Sequence, residues 1–164
     1  MATFSFDTVS EYDKAEMNNV FTMVQKEISN RYDFKGTPAE IDWMEDNKGF
    51  KVIGANDWQI DSIIDIIRKK LASRDQSSKV LDLSKEIVTS NLKATKQISF
   101  VSGLDQDKAK VITKLLREQL PKVKTQIQGE AVRVMSTSKD DLQSAMQLIK
   151  SHDFDFPVGF TNYR

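Results

Sequence analysis

The sequence predicts an α+β protein of two domains, each a four-stranded antiparallel sheet carrying two helices on one face. Two observations lead there. Segments of period two and segments with apolar residues every three or four positions follow one another as strand–helix–strand–strand–helix–short strand, and then do so again. The chain also matches itself when shifted by half of its 164 residues. Phe50–Ser62 then falls on Val132–Ser144, and the register holds through Ile67 on Ile149 and Arg68 on Lys150. Two βαββαβ units of this kind make two ferredoxin-like domains.

Taken in order, Thr3–Ser10 alternates Phe4 and Phe6 with Ser5 and Asp7, as a strand does. Asp13 with Glu16 caps a helix whose face is Met17, Phe21, Val24 and Ile28, running to Asn30. Arg31–Gly36 is an aromatic and charged connection. Ala39, Ile41 and Trp43 form a strand, Asp46–Gly49 a turn, and Phe50 and Val52 the next strand. Asn56 or Asp57 caps a helix with the stripe Ile60, Ile63, Ile64, Ile67 and Leu71. Ser73–Ser78 reads as a polar loop, Val80–Asn91 as one short strand, and Lys93–Val101 as a longer one. Asp105 caps the third helix, with Ala109, Ile112, Leu115, Leu116 and Leu120 on one face and Pro121 as its stop. Lys122–Gln128 is a strand, Gly129-Glu130 a tight turn, and Val132–Val134 its return. Ser138 with Asp141 opens the last helix, faced by Leu142, Ala145, Met146 and Ile149, and Val158–Tyr163 is the closing strand.

Composition narrows the function. Hydrophobic residues make up 39% and charged residues 29%, enough for a core. The 24 basic residues balance the 24 acidic ones, which argues against a strong duplex binder driven by net charge. Without cysteine there is no disulfide, thiol nucleophile or zinc ribbon, and a single histidine, His152, leaves no all-His metal site. No metal or cofactor is expected. The chain opens with no leader pattern and contains no run of transmembrane length, so a cytoplasmic protein without membrane contact is expected.

The informative surface is the polar side of Lys122–Val134. Lys124, Gln126, Gln128 and Arg133 point one way, and all donate hydrogen bonds. The corresponding strands of the first half present Glu40, Asp42, Met44 and Lys51, which would repel a phosphate that the second half attracts. Gln126 and Gln128 offer amides that read base edges, or else pair with each other across strands. Arg133 offers a planar fork for phosphate or guanine. If Arg31–Gly36 is extended, Arg31 and Lys35 point one way and Tyr32 and Phe34 the other, a combination that suits a purine; the alternative is that the rings anchor the helix end. Arg164 is a further candidate, with pairing to Asp7 or another carboxylate as the alternative.

Nothing points to catalysis. Asp140 and Asp141 diverge by about 100° on a helix and serve its N-terminus instead. Ser102-Gly103-Leu104-Asp105 lacks the lysine and second glycine of a phosphate-binding loop. No catalytic residue is assigned.

Four ordered motifs resemble the YajQ family of bacterial proteins. Ser5–Glu11 is similar to its SFDIVSE signature and Arg31–Gly36 to its RFDFKG segment. Gln126–Gly129, Val132–Val134 and Asp140–Gln143 match a QIQGD-x-VRV…DDLQ block, and Pro157–Arg164 is similar to its PLQFxNYR end. Thr8 stands where that family has Ile, Ser102 where it has Gln, and Gly159 where it has Gln. The resemblance implies two domains similar to ribonucleoprotein-type folds with exchanged N-terminal strands. Residues 11–102 would form one, and residues 1–10 with 103–164 the other. It also implies nucleotide binding, with nucleic acid, purine nucleotides and cyclic di-GMP among the family's ligands.

Residues and resemblance together predict a nucleotide- or nucleic-acid-binding protein without catalysis, taking RNA or a cyclic dinucleotide on a polar sheet face. The alternative is a regulatory adaptor that holds a protein partner, such as a transcription regulator, through a sheet face or edge. Arg133→Ala is expected to weaken ligand binding with little loss of stability.

Overall fold

Each of the four helices begins where a side-chain oxygen meets an orphan backbone N–H. Asp13 accepts from Glu16 ahead of α1 (Lys14–Asn30), and Asn56 accepts from Gln59 ahead of α2 (Asp57–Ser73). Asp105 accepts from Lys108 ahead of α3 (Gln106–Gln119), and Ser138 from Asp141 ahead of α4 (Lys139–Ser151). Of the two caps the sequence offers for α2, Asn56 is the one used. This computed structural model describes residues 3–164. Met1 and Ala2, which fall in the expected C-terminal domain, lie outside the described residues. The chain divides into two compact units, Tyr12–Val101 and Met1–Glu11 with Ser102–Arg164.

In the Tyr12–Val101 unit, β2 (Glu40–Trp43), β3 (Gly49–Gly54), β4 (Leu81–Asp82), β5 (Val88–Ser90) and β6 (Lys93–Phe100) form one antiparallel sheet in the order β2-β3-β6-β4. β5 also pairs with β6, at its Lys93–Thr95 end, while β4 pairs at Ser99 and Phe100. Val80–Asn91 therefore holds two short strands rather than one, with residues 83–87 looped out between them. Asn91 and Leu92 close the β5–β6 turn at φ 50 and 64, the two positive values a tight hairpin of this hand requires. One face packs Phe50, Val52, Ala94 and Ile98 against Met17, Val20, Val24 and Ile28 of α1 and the isoleucine stripe of α2. Val20 takes the buried place expected of Phe21, which is half-buried and stacks on Trp43 at 4.7 Å. β3 and β6 run so close at Gly49 that a Cβ there would stand 2.3 Å from the Ile98 carbonyl oxygen.

In the other unit, β1 (Phe4–Val9), β7 (Lys124–Gln128), β8 (Ala131–Ser136) and β9 (Gly159–Thr161) form a sheet in the order β7-β8-β1-β9, again antiparallel. Both sheets have the second–third–first–fourth arrangement of a ferredoxin-like fold. The first strand of each is exchanged: β1 opens the chain yet belongs with β7–β9, and β6, last in its own unit, takes the matching place between β3 and β4. Gly129, at φ 58, supplies the positive φ of the β7–β8 turn.

The closing strand is shorter than Val158–Tyr163, and it ends in a bulge. Thr161 lies opposite Asp7, while Arg164 exchanges both backbone hydrogen bonds with Ser5, at 2.9 and 3.1 Å. Three steps on one strand thus face two on the other, with Asn162 at φ 55 absorbing the extra residue. On the helix-facing side of β1, Phe6 meets the Phe160 ring edge-on. Thr8 and Ser10 are fully buried there, and their hydroxyls have no hydrogen-bond partner among the described residues.

Candidate functional site

The sheet of the Met1–Glu11/Ser102–Arg164 unit has one face under α3 and α4 and one open face. Strand register fixes what stands on the open face. Gln126, Arg133, Asp7 and Thr161 are cross-strand neighbours in one row, Gln128, Ala131, Val9 and Gly159 in the next, and Lys124, Met135 and Ser5 in a third. Beyond that third row a cavity of about 350 Å³ is lined by Thr3, Lys122, Lys124, Met135, Ser136 and Thr137. Its lining has two lysines, two threonines, a serine, Met135 and no carboxylate, and the Ser136 hydroxyl already accepts from the Ser138 backbone N–H at 3.1 Å. Neither Lys122 nor Lys124 forms an ion pair among the described residues.

The middle row is already satisfied internally. The Arg133 guanidinium donates to Asp7 from Nε at 3.0 Å and from Nη2 at 3.5 Å, and Asn162 donates to the same carboxylate at 2.9 Å. Asp7 is only 5% exposed. The hydrogen bond from Arg133 holds its carboxyl below the ordinary value against the opposing effect of burial, helped by Asn162 and by the charges of Arg133 and Arg164. Asp7 in turn raises the pKa of Arg133. The bulge at Asn162 builds this cluster, because it turns the Asn162 amide onto Asp7 and sets Arg164 beside Ser5. Arg164 is exposed and forms no ion pair of its own among the described residues. It was Arg133, not Arg164, that became the partner of Asp7.

Gln128 donates to Gln126 at 3.1 Å. The two are partners along one strand rather than across strands. The Gln126 amide nitrogen and the Gln128 carbonyl oxygen are not used in that bond, and both residues are exposed on the edge strand β7.

Five of the sequence candidates, Lys124, Gln126, Gln128, Arg133 and Arg164, therefore share one face. Arg31, Tyr32 and Lys35 belong to the other unit, and their segment is not extended. Tyr32–Phe34 is a single 3-10 turn, so the alternation of cations and rings is lost. The Arg31 fork is occupied by Asp33, at 3.0 and 2.9 Å, with Glu27 at 3.8 Å. That bond lowers the Asp33 carboxyl and raises Arg31. Phe34 is buried, anchoring the helix end as the alternative had it, whereas Tyr32 is 86% exposed with the Lys35 amine 5.8 Å from its ring centroid.

Sequence reasoning missed Lys122, Thr137 and Asn162, and it named Asp7 only as a possible partner of Arg164. Lys122 carried a usable signal, since it shares the parity of Lys124 on a predicted strand. The roles of Asn162 and of Asp7 beside Arg133 carried none, because they depend on pairings across the length of the chain. Among the described residues no group of three or more His, Asp or Glu could hold a metal ion, and no helix is long and apolar enough to cross a membrane.

Comparison with known proteins gives a consistent result. The family model described as "Nucleotide-binding protein YajQ-like" matches residues 4–164. A Nocardioides protein named "Nucleotide-binding protein" is 42% identical over 165 residues, covering 100% of both chains. Relatives with nucleotide-binding names from Streptomyces coelicolor and Nostoc punctiforme are 41% and 39% identical, over 100% and 99% of each chain.

Proposed function

We propose, from the fact that this chain belongs to the YajQ-like family, that it is a nucleotide-binding protein without a catalytic step, and that the ligand lies on the open face of β7-β8-β1-β9. The observation that carries this reading is the cavity beyond Lys124. Its two lysines without ion pairs among the described residues and its two threonine hydroxyls suit a phosphate. Arg133 is committed to Asp7, so the phosphate falls to Lys122 and Lys124, with Arg164 as a further cation on the face. The unused nitrogen and oxygen of the Gln126–Gln128 pair match the adjacent acceptor and donor on a purine edge.

The face favours a nucleotide or cyclic dinucleotide, such as cyclic di-GMP, over single-stranded RNA. Ribonucleoprotein-type sheets stack bases on aromatic side chains of the central strands. Here the central strands β8 and β1 present Ala131, Arg133, Met135, Ser5, Asp7 and Val9.

Calorimetric titration with GTP, ATP, cyclic di-GMP and a short single-stranded RNA, each at low and moderate salt, tests this. Saturable binding that weakens with salt and is lost in Lys122→Ala or Lys124→Ala, at unchanged melting temperature, is the expected result. No binding by any of the four, or binding indifferent to both lysines, would overturn it.

A second reading has one specific observation behind it. The β5–β6 hairpin leaves Val88 65% and Leu92 92% exposed. Two aliphatic side chains in water beside a sheet edge suit an adaptor that holds a protein partner, such as a transcription regulator. Such a contact would be nearly indifferent to salt, which separates the two readings.

A further inference from the structure

We infer that the open face of the Tyr12–Val101 sheet carries a separate binding site for an organic phosphate of mononucleotide size. From sequence this face looks hostile to phosphate, because Glu40 and Asp42 stand on it. Two things change when the sheet is assembled. β6 adds Thr95 and Gln97 beside Ile53 and Lys51. The segment between β4 and β5 then brings Lys85 and Glu86 to the same surface, with the Lys85 amine donating to the Gln97 side-chain oxygen at 3.3 Å. Sheet and segment together form an open groove of about 630 Å³ lined by Lys51, Lys85, Glu86, Val88, Thr95 and Gln97. That is within the range of small-ligand pockets, about 300–1,000 Å³.

The chemistry of the lining selects the ligand. Lys51 reaches it from β3 and Lys85 from the looped segment. Lys51 forms no ion pair among the described residues. Its cross-strand neighbour Asp42 turns one oxygen back to the Trp43 backbone N–H at 2.8 Å. The Gln97 carbonyl is taken by Lys85, so its amide nitrogen is left as a donor, next to the Thr95 hydroxyl. Two cations and two neutral donors call for an anion with several acceptor oxygens, which a phosphate provides. The volume exceeds the need of inorganic phosphate, and the remaining lining consists of the Val88 isopropyl group and one carboxylate, Glu86. An apolar wall beside a single acceptor suits a flat heterocycle with an N–H to give, such as guanine. The site belongs to the other unit and shares no residue with the face proposed above, so it stands or falls independently.

Amide-resolved NMR of the full chain, titrated in parallel with GMP, ribose 5-phosphate and inorganic phosphate, tests the inference. Saturable shifts are expected at the Gln97 side-chain amide and the Thr95 and Val88 backbone amides. GMP should bind tightest and inorganic phosphate about tenfold or more weaker. Lys51→Ala and Lys85→Ala should each raise the GMP Kd by about tenfold, the loss of one charged hydrogen-bond donor. Glu86→Gln should weaken GMP and spare ribose 5-phosphate. Lys124→Ala should leave these shifts unchanged. Shifts confined to the Lys122–Gln128 amides, the absence of any shift, or equal affinity for all three compounds would overturn the proposal, as would binding that survives both lysine substitutions.

Discussion

Thr8→Val should make this protein more stable. Thr8 sits in the middle of β1, fully buried, opposite Val132 on one side and Phe160 on the other. Its hydroxyl has no partner among the described residues. Valine keeps the branched shape and the strand preference while replacing O–H by a methyl group. Leaving a hydroxyl unpaired in an apolar interior costs about 1–3 kcal/mol by mutational measures. A hydroxyl that turns toward a neighbouring carbonyl recovers part of that, so the lower half of the range, about 1–2 kcal/mol, is the expected gain. At roughly 2–4 °C per kcal/mol for a chain of this length, the melting temperature should rise by about 2–8 °C. With a urea m-value of about 1–3 kcal/mol/M, the midpoint should move up by about 0.3–2 M at unchanged m. Circular dichroism in a urea series, wild type beside variant, measures this directly. A midpoint that stays or falls at constant m would refute the reasoning, because it would mean that the hydroxyl is satisfied in the folded protein.

Arg133→Ala reverses an expectation drawn from sequence: it should lower the melting temperature, because it strips the nearly buried Asp7 carboxylate of its main hydrogen-bond partner. The same pair predicts a pH dependence. The folded pKa of Asp7 lies below its unfolded value, so its contribution is complete above the unfolded value of about 3.9 and disappears as pH falls through the lower folded one. The stability gap between wild type and variant, followed by urea titration across pH, should therefore close below about pH 4. Gly49→Ala should cost at least the upper end of the roughly 1–3 kcal/mol of an overpacked site, since the added methyl meets backbone rather than a mobile side chain; soluble yield and urea midpoint report it. For a nucleotide bound at Lys122 and Lys124, Lys124→Ala should reduce the slope of log K against log salt, and unaltered slopes would remove Lys124 from phosphate contact.

What could be read locally was read. All four helix caps, the apolar stripes of α2 and α4 and the Gly129 hairpin follow from residue type and spacing, and each stands where the sequence put it. Three features escaped, two of them because their causes lie far away along the chain. Arg133 reads as a free cation in the sequence, since its partner Asp7 lies 126 positions away and pairs with it only through the β1–β8 register. The last strand seemed to run on to Tyr163, because Asn162 bends only once Ser5 claims the backbone of Arg164. Arg31–Gly36 looked extended by alternation alone, but Asp33 two residues on captures the Arg31 fork and a turn forms instead. The open face of the Tyr12–Val101 unit reads as acidic from β2 and β3 alone, whereas β6 and its looped neighbour add Thr95, Gln97 and Lys85 to it.

The exchange of β1 has a consequence for how the chain is made. A ribosome delivers Phe4–Val9 well before β8, the strand that flanks it on one side. At synthesis rates of about 5–20 residues per second, Asp7 waits roughly ten seconds for Arg133. During that interval the residues of the Tyr12–Val101 unit are all made, while Phe4–Val9, with Phe4 and Phe6, still lacks both of its partner strands. The exchanged strand is thus the segment whose pairing depends on elements made after the Tyr12–Val101 unit.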